Sequence, residues 1–282
     1  YAASSSVPDL FLHCGALQAI RLSGTDGASW RIPELKAAME GETLLYAGRY
    51  SAPDYELLLE EGCDLVIENT MILHSPAVPE KLEALGFPVM IEYSSYEPHP
   101  LGRVEWIRLY GLLTGHEAEA EAFFAEQNAL FRSVSTSELS GKTVAFFYLS
   151  SSGAAVVRKN ADYVTRMIEL AGGQSCFTDL PPDENALSSV SIQMEDFYRQ
   201  ARDAEILIYN STIAGELDSL EDLISMSELF RDFRAVKTGN VWCTERSMFQ
   251  QCSATAGMIR DFHTVLSDSA EEEPPEFLYP LK

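Results

Sequence analysis

Glu117–Thr136 reads EAEAEAFFAEQNALFRSVST, a stretch without glycine or proline that predicts one long helix between two halves of similar build. Thr114 and Glu117 stand at capping-box spacing, and Glu117, Glu119 and Glu121 place negative charge on the first turns, where the helix dipole favours it. Phe123, Leu130 and Val134 share one face, as do Phe124 and Phe131, so the helix has an apolar side to lay against flanking bodies. At about 1.5 Å per residue it spans roughly 30 Å, the width of a small domain. That length suits a strut between two domains, although an ordinary surface helix within one domain would show the same pattern.

Outward from this stretch, helix and strand signals alternate on both sides. Before it, LFLHCG (Leu10 to Gly15) reads as a buried strand preceded by a loop-like AASSSVPD, IPELKAAMEG as a helix opened by Pro33, and YELLLEEG as a helix closed by Gly62. DLVIEN is a strand, PEKLEALG a helix, FPVMIEY a strand and RVEWIRLYGLL a helix. After it, KTVAFFYL is a strand opening into a small polar loop, NADYVTRMIELAGG an amphipathic helix, and Thr178–Ser189 a surface loop. MEDFYRQARDAEILIYNST and SELFRDFRAVKTGNVWCTE each run from helix to strand; CSATAGMIRDFHTVLSD is the last helix, and Phe277–Tyr279 in the acidic tail is a docking segment. YELLLEEGCDLVIENT in the first half echoes EDFYRQARDAEILIYNST in the second: a helix, an acid before an apolar strand, then asparagine and hydroxyls.

The fold class expected is therefore α/β, two Rossmann-like lobes with mainly parallel sheets joined by one long helix: 1–114, a connecting helix at 115–137, and 138–282. Parallel sheets collect ligands beyond the carboxyl ends of their strands. Those ends are expected at His13–Gly15, Asn69–His74, Ser94–Glu97, Ser150–Gly153, Asn210–Thr212 and Thr244–Ser247.

Composition narrows the function. Twenty basic against 43 acidic residues give a net charge of −23 in 282 residues, which argues against nucleic acid or an anionic membrane surface as partner. Five cysteines without a CxxC pair support neither a structural zinc site nor a disulfide scaffold. No apolar stretch reaches the ~20 residues of a membrane-spanning helix. The opening on Tyr1 leads to the expectation that a targeting segment has been removed or left out.

The order and spacing of APDYELLLEEGCDLVIE, EKLEALGFPVMIEY, PLGRVEWIRLYGLLTGHEAEAEAFF, YVTRMIELAGG and FRAVKTGNVW resemble the bacterial ABC-transporter substrate-binding proteins of the iron-siderophore, haem and cobalamin type. The resemblance runs from about Leu10 to about Leu266. It implies an extracytoplasmic, lipid-anchored or periplasmic monomer with no intrinsic cofactor, which captures an iron-containing chelate and passes it to ABC permease subunits. HCGALQAI departs from the more usual hydroxyl-rich opening.

Candidate ligand contacts are Arg49, Arg103 and Arg158, whose guanidinium groups suit anionic chelates, and the flat surfaces of Trp30, Tyr50, Tyr96 and Trp242. Asn69, Met71, Ser95, Ser151 and Asn210 join them as strand-end side chains. His13, Cys14 and His74 are candidate metal ligands, although a lone histidine or cysteine at a strand end is more often packed than ligating. Glu80 and Glu83 in one lobe and Glu216 and Glu221 in the other are candidate permease contacts, against the plainer reading as solvated acids. Neither a nucleophile elbow nor a glycine-rich phosphate loop is present, so the expectation is a binder; a chelatase-like or cofactor-handling enzyme of the same layout is the alternative, as is a direct metal-ion binder.

Overall fold

The computed structural model describes residues 1–135, 140–180 and 188–282. Thr136, the expected 137/138 boundary and part of the Thr178–Ser189 loop lie outside the described residues. The chain divides into two compact units: Tyr1–Glu97 with Leu101–Gln127 and Phe249–Ser253, and Pro98–Pro100 with Asn128–Met248 and Ala254–Lys282.

The first unit contains α1 (Ser6–His13), β1 (Leu22–Ser23), α2 (Pro33–Glu40), β2 (Leu45–Tyr46), α3 (Tyr55–Glu60), β3 (Val66–Asn69), α4 (Ala77–Ala84), β4 (Val89–Glu92), α5 (Pro100–Glu105), α6 (Ile107–Thr114) and the start of α7 (Glu117–Ser135). β1 pairs with β2 and β3 with β4, both parallel. The N-terminal residues close the gap between these pairs. Ala2 N–H donates to Leu22 O at 2.9 Å and Gly24 N–H to Ala2 O at 2.8 Å, while Ile67 N–H donates to Tyr1 O at 2.8 Å and Ala3 N–H to Ile67 O at 2.9 Å. The approach is close enough that a Cβ on Gly24 would meet Ala3 O at 2.6 Å, so glycine is required there.

This placement corrects two expectations. The opening residues form a central rung of the sheet instead of a loop, and Leu10–Gly15 is not a strand: most of it is the end of α1, with Cys14 as C-cap. Val7, Leu10, Phe11 and Cys14 recur at helical spacing and are buried, a period that begins upstream of the apolar LFL triplet. Phe11 packs on Tyr110 of α6 with ring centroids 4.8 Å apart. Thr114 also differs from expectation. It ends α6, where Gly115 turns left-handed at φ 72°, and its hydroxyl donates to Tyr110 O at 2.8 Å, so it is the last residue of one helix and not the cap of the next.

The second unit holds β5 (Thr143–Leu149), β6 (Ala155–Arg158), α8 (Tyr163–Leu170), β7 (Gln174–Ser175), β8 (Ser189–Ile192), α9 (Met194–Ala201), β9 (Ile206–Tyr209), α10 (Ser211–Ala214), α11 (Leu220–Met226), α12 (Arg234–Thr238), β10 (Val241–Thr244), α13 (Thr255–Leu266) and β11 (Leu278–Pro280). Its sheet runs β11-β10-β9-β5-β6-β8, with β7 also on β5. β7, β5, β9 and β10 are parallel; β6 turns back antiparallel on β5, and β11 antiparallel on β10. One face carries a phenylalanine core of Phe147, Phe177, Phe197, Phe230 and Phe233. The tail docks through Phe277 and Leu278, both buried, and becomes the edge strand β11.

The repeated motif is visible in local structure. Asn69, at the end of β3, accepts Met71 N–H at 2.8 Å and caps the short 3-10 helix Thr70–His74. Asn210, after β9, accepts Thr212 N–H at 3.2 Å and caps α10. In each case a strand becomes a helical turn with asparagine at the junction, because its side-chain oxygen satisfies a first-turn amide that has no intrahelical partner.

Phe249–Ser253 is a strap that returns to the first unit. Gln250 Oε1 accepts Arg31 N–H at 2.9 Å and its Nε2 donates to Ser29 O at 2.8 Å. Asp9, buried on α1, accepts Ser253 N–H at 2.7 Å and Ser253 Oγ–H at 3.0 Å. Burial pushes the Asp9 carboxyl up to about 7 against the opposing pull of the Ser253 donors. The folded state thus holds this proton over the range where an unfolded aspartate has lost it, so its contribution to stability falls as pH rises from about 4 to about 7.

Two predictions follow from these contacts. Asp9→Asn keeps an acceptor for Ser253 N–H and removes the ionisation; its stability in denaturant titrations declines less between pH 5 and 7 than that of the wild type, which loses up to roughly 1.4 kcal/mol per pH unit from this group. Equal slopes would show that Asp9 does not carry the pH dependence. Asn210→Ala removes a buried cap and lowers stability by about 1 kcal/mol, measured by the same titration at constant pH.

Candidate functional site

Each unit presents a carboxyl edge of its sheet, described here by itself. In the first unit, the chain leaves the sheet at Ser4–Ser6, at Arg49 and Tyr50 beyond β2, at Thr70 and Met71 beyond β3, and at Tyr93–Tyr96 beyond β4. Ser4 and Ser6 hydroxyls are 3.2 Å apart, and Thr70 Oγ1 lies 3.4 Å from Ser95 Oγ. Tyr93 and Tyr96 meet edge to face with centroids 5.8 Å apart. Met71 is 49% exposed and Tyr96 44%. Arg49 is exposed and makes no salt bridge among the described residues. The edge therefore offers hydroxyls, aromatic and thioether surface and one free guanidinium, none of which the core requires.

In the second unit the corresponding edge contains a hollow of about 540 Å³ lined by Tyr148, Leu149, Ser150, Ser151, Gly153, Ile213, Ala214 and Met226. Its wall is the turn from β5 to β6, held by Ser150 Oγ, which lies 2.9 Å from Ser152 Oγ and accepts Ala154 N–H at 3.2 Å. Ser211 N–H donates to Thr244 Oγ1 at 3.0 Å and ties the ends of β9 and β10 together. Asn210 lies beneath, fully buried; Thr212 Oγ1–H donates to its Oδ1 at 2.6 Å, while its Nδ2 has no acceptor among the described residues.

The sequence-derived candidates separate cleanly on this geometry. Arg49, Tyr50, Asn69, Met71, Ser95 and Tyr96 gather at the first unit's carboxyl edge, with Asn69 engaged as a cap. Ser151 lines the hollow of the second unit and Asn210 stands beside it. Trp30 is core, packed in the cluster that contains Phe11, Leu35 and Tyr110. Arg103 is 7% exposed and lies by the buried Glu92, whose carboxyl burial pushes up while Ser94 and Arg103 oppose the shift. Arg158 ends β6, which runs antiparallel to β5, so it lies away from the Ser150–Gly153 turn and faces Asp162 at 3.5 Å. Trp242 is buried on β10, paired with Pro280 of β11, and lines a different hollow beside α13. Local sequence could not separate these cases, since tryptophan and arginine each join an apolar body to a polar tip that packs inside or reaches outward according to its surroundings.

The metal candidates do not assemble. Cys14 is buried, donates its thiol to Phe11 O at 3.4 Å, and burial raises its pKa. His13 stacks on Phe123 with centroids 4.7 Å apart, where partial burial lowers its pKa, and its Nε2 is 3.6 Å from Asp9. His74 is exposed at the end of its 3-10 helix. Among the described residues no group of three or more His, Cys, Asp or Glu side chains is arranged to hold a metal ion. All five cysteines are free. Glu80 and Glu83 on α4, and Glu216 and Glu221 around α10 and α11, are exposed, with Glu216 4.0 Å from Arg246. Residues missed by the sequence reading are Tyr148, Ile213 and Met226; an isoleucine just past a strand and a methionine at the end of a helix carry no signal that distinguishes them from core.

Among known proteins, the chain is 26% identical over 249 residues to one uncharacterised lipoprotein of Methanocaldococcus jannaschii and 25% identical over 238 residues to another. These matches cover 86% and 82% of this chain but 57% and 59% of the relatives, so the chain spans under two thirds of their length. A periplasmic heme-binding protein of Pseudomonas aeruginosa shares the fold with a TM-score of 0.76 at 15% identity, over 100% of this chain and 96% of that one. A periplasmic binding protein of Veillonella parvula follows at 0.75 and 18%, over 94% and 89%. The heme-binding protein HutB of Vibrio cholerae gives 0.72 and 17%, over 92% and 96%. With the periplasmic binding protein model matched across residues 15–246, the chain belongs to the periplasmic binding protein family.

Proposed function

We propose that this chain is the ligand-capturing part of an extracytoplasmic ABC importer that binds a metal chelate, with exposed groups at the carboxyl edges of its sheets as the ligand contacts. The observation that supports this most is the set of solvent-exposed groups at those edges: Arg49, Met71, Tyr93 and Tyr96 in one unit, and the uncharged hollow around Ser150 and Ile213 in the other. Aromatic and thioether surface grouped with a guanidinium and hydroxyls suits a ligand with mixed polar and apolar faces, and in parallel sheets this is where ligands bind. Proteins of the same fold are named for heme binding, vitamin B12 binding and Fe3+-hydroxamate transport. The reading places the metal inside the chelate, since the described residues bring no three metal-ligating side chains together. Lipoproteins among the relatives support a lipid-anchored setting, and no described helix is long and apolar enough to cross a membrane. Exposed acids on α4 and near α11 are the proposed contacts for basic residues of a permease. Binding without turnover is the activity expected, in keeping with the binding proteins that share the fold.

Incubation with haem, cobalamin and a set of ferric siderophores, followed by native mass spectrometry and absorbance, is expected to show one coloured ligand retained per chain. Retention of none would overturn the chelate reading. Arg49→Ala is expected to weaken binding of a carboxylate-bearing chelate about tenfold, the scale of one charge-assisted hydrogen bond, and to leave an uncharged one unaffected.

A further inference from the structure

The hollow of the second unit has a chemical character that narrows the ligand. All eight residues around its ~540 Å³ are uncharged: Tyr148 and Leu149 on β5, Ser150, Ser151 and Gly153 in the turn that follows, Ile213 and Ala214 of α10, and Met226 at the end of α11. Ile213 is 61% exposed and Met226 43%, so the surface on offer is apolar and open to a visitor. Glu216 and Glu228, two residues beyond Ala214 and Met226, already face arginines, Glu228 accepting from Arg231 at 2.7 Å. Arg246 lies 4.0 Å from Glu216, and Glu245 is held above its ordinary range by burial and by Glu216. The chain as a whole carries a net charge of −23. A ligand with several negative charges would find no cation in this lining and a chain of net negative charge, whereas an uncharged ring or aliphatic face would bury Ile213 and Met226 at about 25 cal/mol per Å².

We infer that this hollow receives an uncharged, largely apolar face of the ligand, and that the protein selects chelates of little or no net charge over polyanionic ones, with Ile213 and Met226 as the discriminating side chains. The inference rests on the chelate-binding reading and specifies its ligand class.

The test is a titration of the wild type and of Ile213→Arg, at an exposed position where the fold is not at stake, with three probes: cyanocobalamin, an uncharged ferric trihydroxamate, and a ferric tris-catecholate carrying three negative charges. The wild type is expected to bind one of the uncharged probes at least tenfold more tightly than the tris-catecholate, and Ile213→Arg to shrink that ratio at least tenfold. Preference of the wild type for the tris-catecholate, or an unchanged ratio in the variant, overturns this inference while leaving the chelate reading intact. Binding of none of the three, nor of haem, overturns both. Met226→Leu, which keeps the apolar volume, is expected to retain the wild-type ratio; a collapse of the ratio in that variant would likewise overturn the apolar-face account.

Discussion

The first unit's sheet depends on the hydrogen bonds that Tyr1–Ala3 exchange with its two strand pairs. β1 and β2 contribute two residues each, and β3 and β4 four each, too little to persist as isolated pairs in water. With Ala2 bonded to Leu22 and Gly24 on one side, and Tyr1 and Ala3 bonded to Ile67 on the other, the pairs become one parallel surface. That surface aims Arg49, Thr70 and Tyr93 toward the same edge, because parallel strands deliver all their carboxyl ends together. The lack of a Cβ on Gly24 is what lets the N-terminal segment come close enough to bond.

Burial of acids is a second constraint on this unit. Glu68 is fully buried on β3, both its oxygens lack partners among the described residues, and burial pushes its carboxyl up to about 7. Asp9 and Glu92 are raised for the same reason, although both accept hydrogen bonds. Holding such carboxyls costs stability as pH rises from the unfolded toward the folded pKa, and is tolerated where they organise backbone, as Asp9 does by receiving the strap at Ser253 and Glu92 by accepting Ser94 N–H at 2.7 Å. The first unit is therefore more exposed to rising pH than its exposed acids alone would imply.

The two units reach similar edges by different routes. A capping asparagine at the end of β3 and after β9 gives the same strand-to-turn geometry, yet the first edge is aromatic, hydroxyl-rich and basic at Arg49, and the second is an uncharged hollow. Shared backbone chemistry thus supports divergent side-chain chemistry, which is how one fold serves many ligands.

Much of this was legible in the amino-acid order. Strand and helix alternation, the Glu117 helix, the paired asparagine motifs and the tail that docks at Phe277 are local patterns, set by side-chain period and capping, and a chain carries them without reference to its partners in space. Tertiary structure decided the rest. Ala2 has too little side chain to announce a central strand position, and its role exists only because Leu22 and Ile67 arrive on either side. Leu10–Gly15 looked extended until Val7 and the facing α6 supplied a helical period and something to bury it against. Trp30, Arg103, Arg158 and Trp242 have the chemistry of ligand contacts, but burial and strand direction, which depend on residues far away in sequence, took them from the edges and left Tyr148, Ile213 and Met226 there instead.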